Sequence, residues 1–288
     1  MTIRQIQVKI GPFKDYEARG TASAINLVTT GADYELNISF TVNKHITGSP
    51  NQTAITILNL SSQTRQALQQ SGLSIELYAG YVGQPLHLVA KGGVLSVVSQ
   101  RADANIVTSI TVMDGRGATL RSFYDKSFTG ATPVNDIVRE LASTMANQGV
   151  SIGEINVKGL LADKGRVFNG RAVDSLDSLA KAFKFSWSIQ DGVFQALDDD
   201  TGSRKVYVLD AKSNLINVSP LLNGQEQFRV GVDITASLDP RILPGDKVQV
   251  TSSVSPELDG TYIVDECQLS GASHDPAWVI QIKSLVRQ

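Results

Sequence analysis

Three histidines, His45, His87 and His274, are the chain's only imidazoles, and any zinc or histidine acid–base chemistry would begin from them. They lie far apart in sequence, and none falls in a metal-binding spacing such as H-E-x-x-H. His274 stands beside Asp275 in a loop, the arrangement of an oriented base, but no nucleophile motif accompanies it. Asp198-Asp199-Asp200-Thr201-Gly202 is the dense carboxylate cluster, and its Asp-x-Asp spacing is that of an opening calcium loop. The bidentate acid that should close such a loop is missing where Val206 to Leu209 reads as a strand. Glu257 and Asp259 form a candidate glycosidase pair, yet they flank a turn, where acidic residues are usual for conformational reasons. Cys267 is the sole cysteine, so no intramolecular disulfide can form, and its apolar strand suits a small buried thiol. The chain contains no G-x-S-x-G, no P-loop and no G-x-G-x-x-G after a strand. The expectation is a protein that is not an enzyme, with no catalytic, cofactor-binding or metal residues and no cofactor.

Composition narrows the class further. The 288 residues are 42% hydrophobic and 19% charged, the balance of an ordinary globular protein with room for two domains or one large β domain carrying an insertion. The net charge of -2 argues against nucleic acid as a bound partner. Residues 206–288 hold 6 Lys and Arg against 10 Asp and Glu, so the acidic excess lies in the last part of the chain. No apolar run approaches the length of a membrane span. The opening MTIRQIQVKI alternates at once, as a strand does, and lacks the apolar centre of a signal peptide; folding in a cytoplasm is expected.

The elements that would position these residues are mostly strands. Leu36 to Val42 alternates without a fault, which buries Leu36, Ile38, Phe40 and Val42 and wets Asn37, Ser39 and Thr41. Ile75–Ala79, Ile106–Met113, Val206–Leu209, Lys247–Thr251, Tyr262–Asp265 and Trp278–Ile282 read similarly, and Thr53–Leu60 is rich in β-branched residues. Ser61 or Ser62 caps a short helix ending at Gly72, and Gly92-Gly93 interrupts a strand before Val94–Ser99. In the middle, Thr132 is a natural N-cap with Pro133 at the first helical position, followed by Val134, Ile137, Val138, Leu141, Ala142 and Met145 at helical spacing. A second helix is expected from Val173 to Phe183. Phe185–Ile189 and Val193–Leu197 then form a hairpin around Asp191-Gly192. The fold class expected is β-rich α+β, in three parts: a β unit over 1–118, an α+β unit of two helices and a hairpin over 119–204, and a second β unit over 205–288.

Several of these features, in this order, resemble the baseplate hub proteins of contractile and related bacteriophage tails. NQTAITILNLSSQTRQAL is similar to the family's strand with Asn-Leu-Ser and a short helix, and IELYAGY to its strand ending in Ala79-Gly80-Tyr81. Thr132 to Val138, the second helix with FSWSIQDGVF, Pro244-Gly245-Asp246-Lys247-Val248 and Asp259 to Val264 follow in the family's order. Where the family often has Gly-Asp-x-x-Gly-x-Trp, this chain reads Ser270 to Trp278 differently. The resemblance spans residues 50–288 and implies two antiparallel β-barrel domains like tail-tube subunits, with the α+β domain between them in sequence and displayed outside. It also implies a homotrimer that joins the hexameric tail tube to the trimeric central spike and forms part of the DNA channel. The implied partners are tail tube or distal tail proteins, the spike and other baseplate proteins. On the same resemblance DNA would only pass through the channel, no stable membrane insertion is expected, and the place of residence would be the virion, assembled in the host cytoplasm.

Two other functions compete. A β-rich receptor- or glycan-binding tail module would need Tyr78, Tyr81, Trp187 and Trp278 assembled into an exposed aromatic platform. A tail-borne cell-wall hydrolase would need a carboxylate pair or a zinc site.

Overall fold

Alternation decides which face of each long strand is buried. The computed structural model describes residues 3–11, 25–32, 35–162, 164–222 and 229–285. Its first segment holds β1 (Arg4–Gly11), β2 (Ile25–Thr29), β3 (Ile38–His45), β4 (Gln52–Leu58), α1 (Ser62–Ala67), β5 (Ser74–Tyr81), β6 (His87–Ala102) and β7 (Asn105–Met113). Ile38, Phe40 and Val42 of β3 and Ile55 and Ile57 of β4 point inward, as the pattern requires. Leu36 lies ahead of β3 and is only half-buried. Ser61 caps α1 by accepting from the Thr64 amide at 3.1 Å.

The middle segment holds α2 (Arg116–Arg121), β8 (Phe123–Phe128), α3 (Val134–Ala146), β9 (Ser151–Asn156), β10 (Arg166–Arg171), α4 (Ala172–Phe183), β11 (Phe185–Gln190) and β12 (Val193–Asp198). The apolar stripe of α3 packs with Phe168, Leu176, Leu179, Trp187 and Phe194 into a core of its own. Asp191 and Gly192 have φ of 54° and 81°, the two positive values of a type I′ hairpin turn. Thr132 does not cap α3. Its hydroxyl donates to the Thr129 carbonyl at 2.8 Å, and Pro133 takes the capping position. A residue before proline is held extended, and the Thr132 carbonyl accepts instead from Leu161. Beyond the expected hairpin, β9 runs parallel to β12, and β8 pairs with β10 as a separate ribbon.

The last segment holds β13 (Val206–Asp210), β14 (Leu215–Leu222), β15 (Arg229–Ser237), β16 (Lys247–Thr251), β17 (Gly260–Ile263), β18 (Glu266–Ala272) and β19 (Trp278–Leu285). Here the architecture departs from two separate barrels. The eleven strands β14-β15-β19-β18-β3-β4-β7-β6-β5-β1-β2 form one sheet, antiparallel at every step, in which β3 pairs directly with β18. No closed barrel occurs among the described residues. One core lies beneath this sheet and takes side chains from both ends of the chain, including Leu209, Val248 and Val250 of the small β13-β16-β17 sheet.

β6 explains how an open sheet covers its own core. From His87 to Gly93 it pairs with β5, and from Gly93 to Ala102 it pairs with β7. Gly92-Gly93 therefore does not interrupt the strand; it is where the partner changes. A Cβ on Gly92 would lie 2.6 Å from the Met113 carbonyl oxygen, so the crossing needs glycine. Beyond this crossing β5, β1 and β2 fold back over the rest of the sheet. Tyr81 of β5 meets Trp278 of β19 with ring centroids 5.9 Å apart, and Arg4 of β1 donates to the carbonyls of Asp275 and Pro276 at 2.8 and 3.0 Å.

Candidate functional surface

The residues with chemical potential are not gathered by the fold. His45 ends β3, His87 begins β6, and His274 sits between β18 and β19, its Nδ1 2.8 Å from the Ser273 hydroxyl. Burial pushes the His45 imidazole below its ordinary pKa, against the pull of Glu266. No group of three or more His, Cys, Asp or Glu side chains suited to a metal ion occurs among the described residues. Cys267 is enclosed in the core, and burial pushes its thiol up to about 12. Asp259 accepts from the Ser252 amide at 2.7 Å and closes a turn, while Leu258 beside it is buried. The four aromatics do not form a platform, because Trp187 and Trp278 are only 2% and 5% exposed.

Asp198 is a turn-maker rather than a calcium ligand. One carboxylate oxygen accepts from the Asp200 and Thr201 amides and the Thr201 hydroxyl, and the other pairs with Lys158 at 3.0 Å. Burial pushes this carboxyl up, but the Lys158 ammonium and the Thr201 bonds outweigh it and hold its pKa below the ordinary carboxylate value. A depressed folded-state pKa contributes stability above the unfolded value, and that contribution is lost as pH falls through the folded one. The stability difference between wild type and Asp198→Asn is therefore expected at neutral pH and should shrink on acidification. Urea titrations at several pH values check this, and a difference that grows toward low pH refutes it.

The fold instead builds an extended uncharged surface on the outer face of the large sheet. Paired residues on neighbouring strands share a face, so the register lists that surface directly. Gln281, Gln268, Asn43 and Gln52 stand in one row across β19, β18, β3 and β4, and Gln268 donates to Asn43 at 2.8 Å. The next row is Ser270, Thr41, Ala54, Thr111 and Ser96, reaching β7 and β6. Ser39, Thr56, Ser109 and Val98 make a third. Charge appears only at the border, where Asp233, Lys283, Glu266 and His45 line up. A face of amides and small hydroxyls offers hydrogen bonds but no fixed cation to hold a phosphate and no carboxylate to bind a basic group.

One end of that sheet holds the α+β unit through its hairpin. Lys44 lies on the inner face of β3, its side chain 1% exposed, and its ammonium meets the Asp191 carboxylate at 2.6 Å. Asn51 donates to the Ile189 carbonyl at 2.9 Å and to Gln190 at 2.8 Å, and Gln190 donates to the His45 carbonyl at 2.8 Å. Asp114 accepts from the Gly192 amide at 3.1 Å, and Gln195 donates to the Pro244 carbonyl at 2.7 Å. Gly48 lies against the Trp187 ring, where a Cβ would come within 2.1 Å of it. Asn51 and Pro244-Gly245 thus serve as docking residues. Lys44 was legible as an inward position, since it continues the phase of Phe40 and Val42, but nothing local in the sequence marked its partner.

A family model described as baseplate hub gp41 matches residues 23–284. No curated protein sequence matches. Among solved structures, the 43 kDa tail protein of prophage MuSo2 from Shewanella oneidensis aligns with a TM-score of 0.65 at 11% identity, covering 99% of this chain and 97% of that one. The tail protein from Neisseria meningitidis MC58 aligns with a TM-score of 0.63 at 12% identity, covering 98% and 96%. An Escherichia coli component of the type VI secretion system, which exhibits structural similarity to T4 bacteriophage tail proteins gp27 and gp5, aligns at 0.59 and 10% identity, covering 88% and 74%. At such identities these three likenesses speak for the fold alone.

Proposed function

Because the chain belongs to the baseplate hub gp41 family, we propose that it is the trimeric hub of a phage tail baseplate, joining the hexameric tube to the trimeric spike, with the outer face of its large sheet turned toward the DNA channel. The observation that carries this is the uncharged face spanning β19, β18, β3, β4, β7 and β6. A wall past which a polyanion slides has to neither grip phosphates nor repel them strongly. The units over 1–118 and 205–288 would each supply one tube-like position, so that three chains present six to the tube, and the α+β unit over 119–204 would stand outside the ring. Its partners would be tube or distal tail proteins, the spike and other baseplate proteins, in a virion assembled in the host cytoplasm. The role is structural and needs no catalytic residue or cofactor.

The orientation is testable in assembled tails. Thr41→Lys and Ala54→Lys place cations on the face without touching the core. Purified variants are expected to keep wild-type thermal stability and assembly while DNA ejection slows. A particle reconstruction should show three copies per ring with this face toward the axis. Six copies, or the face turned outward, would sink the reading.

A further inference from the structure

We propose that the groove flanking α2 docks an acidic, extended segment of another tail protein. α2 stands where the α+β unit meets the large sheet, and a cavity opens on each of its flanks. One, of about 470 Å³, lies between α2, α4 and the β3–β4 loop. The other, of about 250 Å³, lies between α2, the turn after α3 and the Gly93 crossing of β6. Met113, Arg116 and Leu120 line both, so the two are lobes of one groove. Clefts at junctions between units are where ligands are most often held. Much of the wall is apolar, with Leu73, Val94 and Val150 in the smaller lobe and Pro50 and Val173 in the larger. Leu120 itself is 48% exposed.

Charge selects the occupant. The acids of the larger lobe are already engaged, Asp174 with Arg171 at 2.7 Å and Asp177 with the Trp187 indole nitrogen at 2.8 Å. The charged residues of the smaller lobe are Arg116 and Arg121, with no acid among them. Among the described residues, no side-chain hydrogen bond or ion pair engages the Arg116 guanidinium, which is exposed. An unanswered positive charge between apolar walls is the complement of a carboxylate carried among apolar side chains. Two glycines favour a peptide as its carrier. Gly93 in β6 and Gly117 in α2 line the smaller lobe, neither has a positive φ, and a Cβ on either would meet nothing within 4 Å. Neither backbone geometry nor crowding demands glycine at these positions, and glycine weakens a helix relative to alanine. Bare backbone there lets another backbone lie close.

The inference rests on the baseplate reading above, and its test keeps the two apart. p-Benzoylphenylalanine at Leu120 should, on irradiation of purified tails, cross-link to a tail protein other than this chain. Mass spectrometry should place the cross-link in a segment that carries Asp or Glu. A synthetic peptide of that segment, titrated against the purified full chain, is expected to bind. Arg116→Glu should weaken that binding about tenfold or more, because it sets like charges against each other, and Arg116→Lys should weaken it less. Both variants should keep the wild-type melting temperature, since the guanidinium holds nothing within the chain. Gly117→Leu should also weaken binding by filling the smaller lobe. Several results overturn the groove and leave the baseplate reading standing. They are a cross-link to a second copy of this chain, a cross-link to a segment without carboxylates, and no cross-link above that from Val254, an 88% exposed residue of neither lobe. Peptide binding undiminished by Arg116→Glu, or succinate binding as tightly as the peptide, does the same. A chain absent from purified tails overturns the baseplate reading and this inference together.

Discussion

Replacing Asp191 with alanine is expected to cost about 3–5 kcal/mol of unfolding free energy, because it leaves the Lys44 ammonium buried without its counter-charge. Lys44 is one of the largest fully buried side chains, and its nearest neighbour across the sheet is Cys267. Lys44→Met with Asp191→Ala should recover most of the loss, since removing both charges removes the desolvation penalty together with the attraction. The Asn51, Gln190 and Asp114 bonds remain in the double variant and keep the hairpin seated. Urea unfolding of the three variants decides the matter. If Asp191→Ala alone costs less than about 1 kcal/mol, the pair is not the lock between sheet and hairpin.

Leu141→Ala should cost about 2–5 kcal/mol through the cavity it opens in the second core. Leu141 is fully buried in the middle of α3, with Ile137, Val138 and Met145 on the same stripe and Leu176 of α4 within the same cluster. A site walled by two helices and a hairpin cannot collapse easily, which argues for the upper part of that range. The large sheet and its outer rows lie in the other core and should be unaffected, so tryptophan emission from Trp187 is a suitable local reporter. A loss below about 1 kcal/mol would show that α3 is not packed through Leu141.

Much of the local structure was legible. The Asp191-Gly192 hairpin, the stripe of α3 and the inward phase of β3 follow from periods that short windows contain. The failures share one cause. Gly92-Gly93 looks like a break to any local rule, yet it is a change of partner inside a continuous strand. Thr132 has the right chemistry for a cap but lost the position to the constraint of the proline after it. The pairing of β3 with β18, which carries one sheet through both expected β units, joins Ser39 to Ala272 and leaves no trace in either segment alone. The candidate surface was legible strand by strand, as in the wet Ser39 and Thr41 of β3, but its extent was not, because that depends on six strands being placed in register.

That β3–β18 pairing also fixes an order of events during synthesis. β3 can pair with β4 as soon as both have left the ribosome, but its other edge stays open until β18 and β19 have been made. Between those two moments the helices and hairpin of the middle segment emerge, and their local contacts form fast. The nascent chain therefore carries one open strand edge beside a folded neighbour until β18 emerges. Lys44 and Asp191 both precede β18 in the chain, so their contact does not have to wait for that strand to be made. Slow closure across so long a separation in the chain is the step at which aggregation competes with folding.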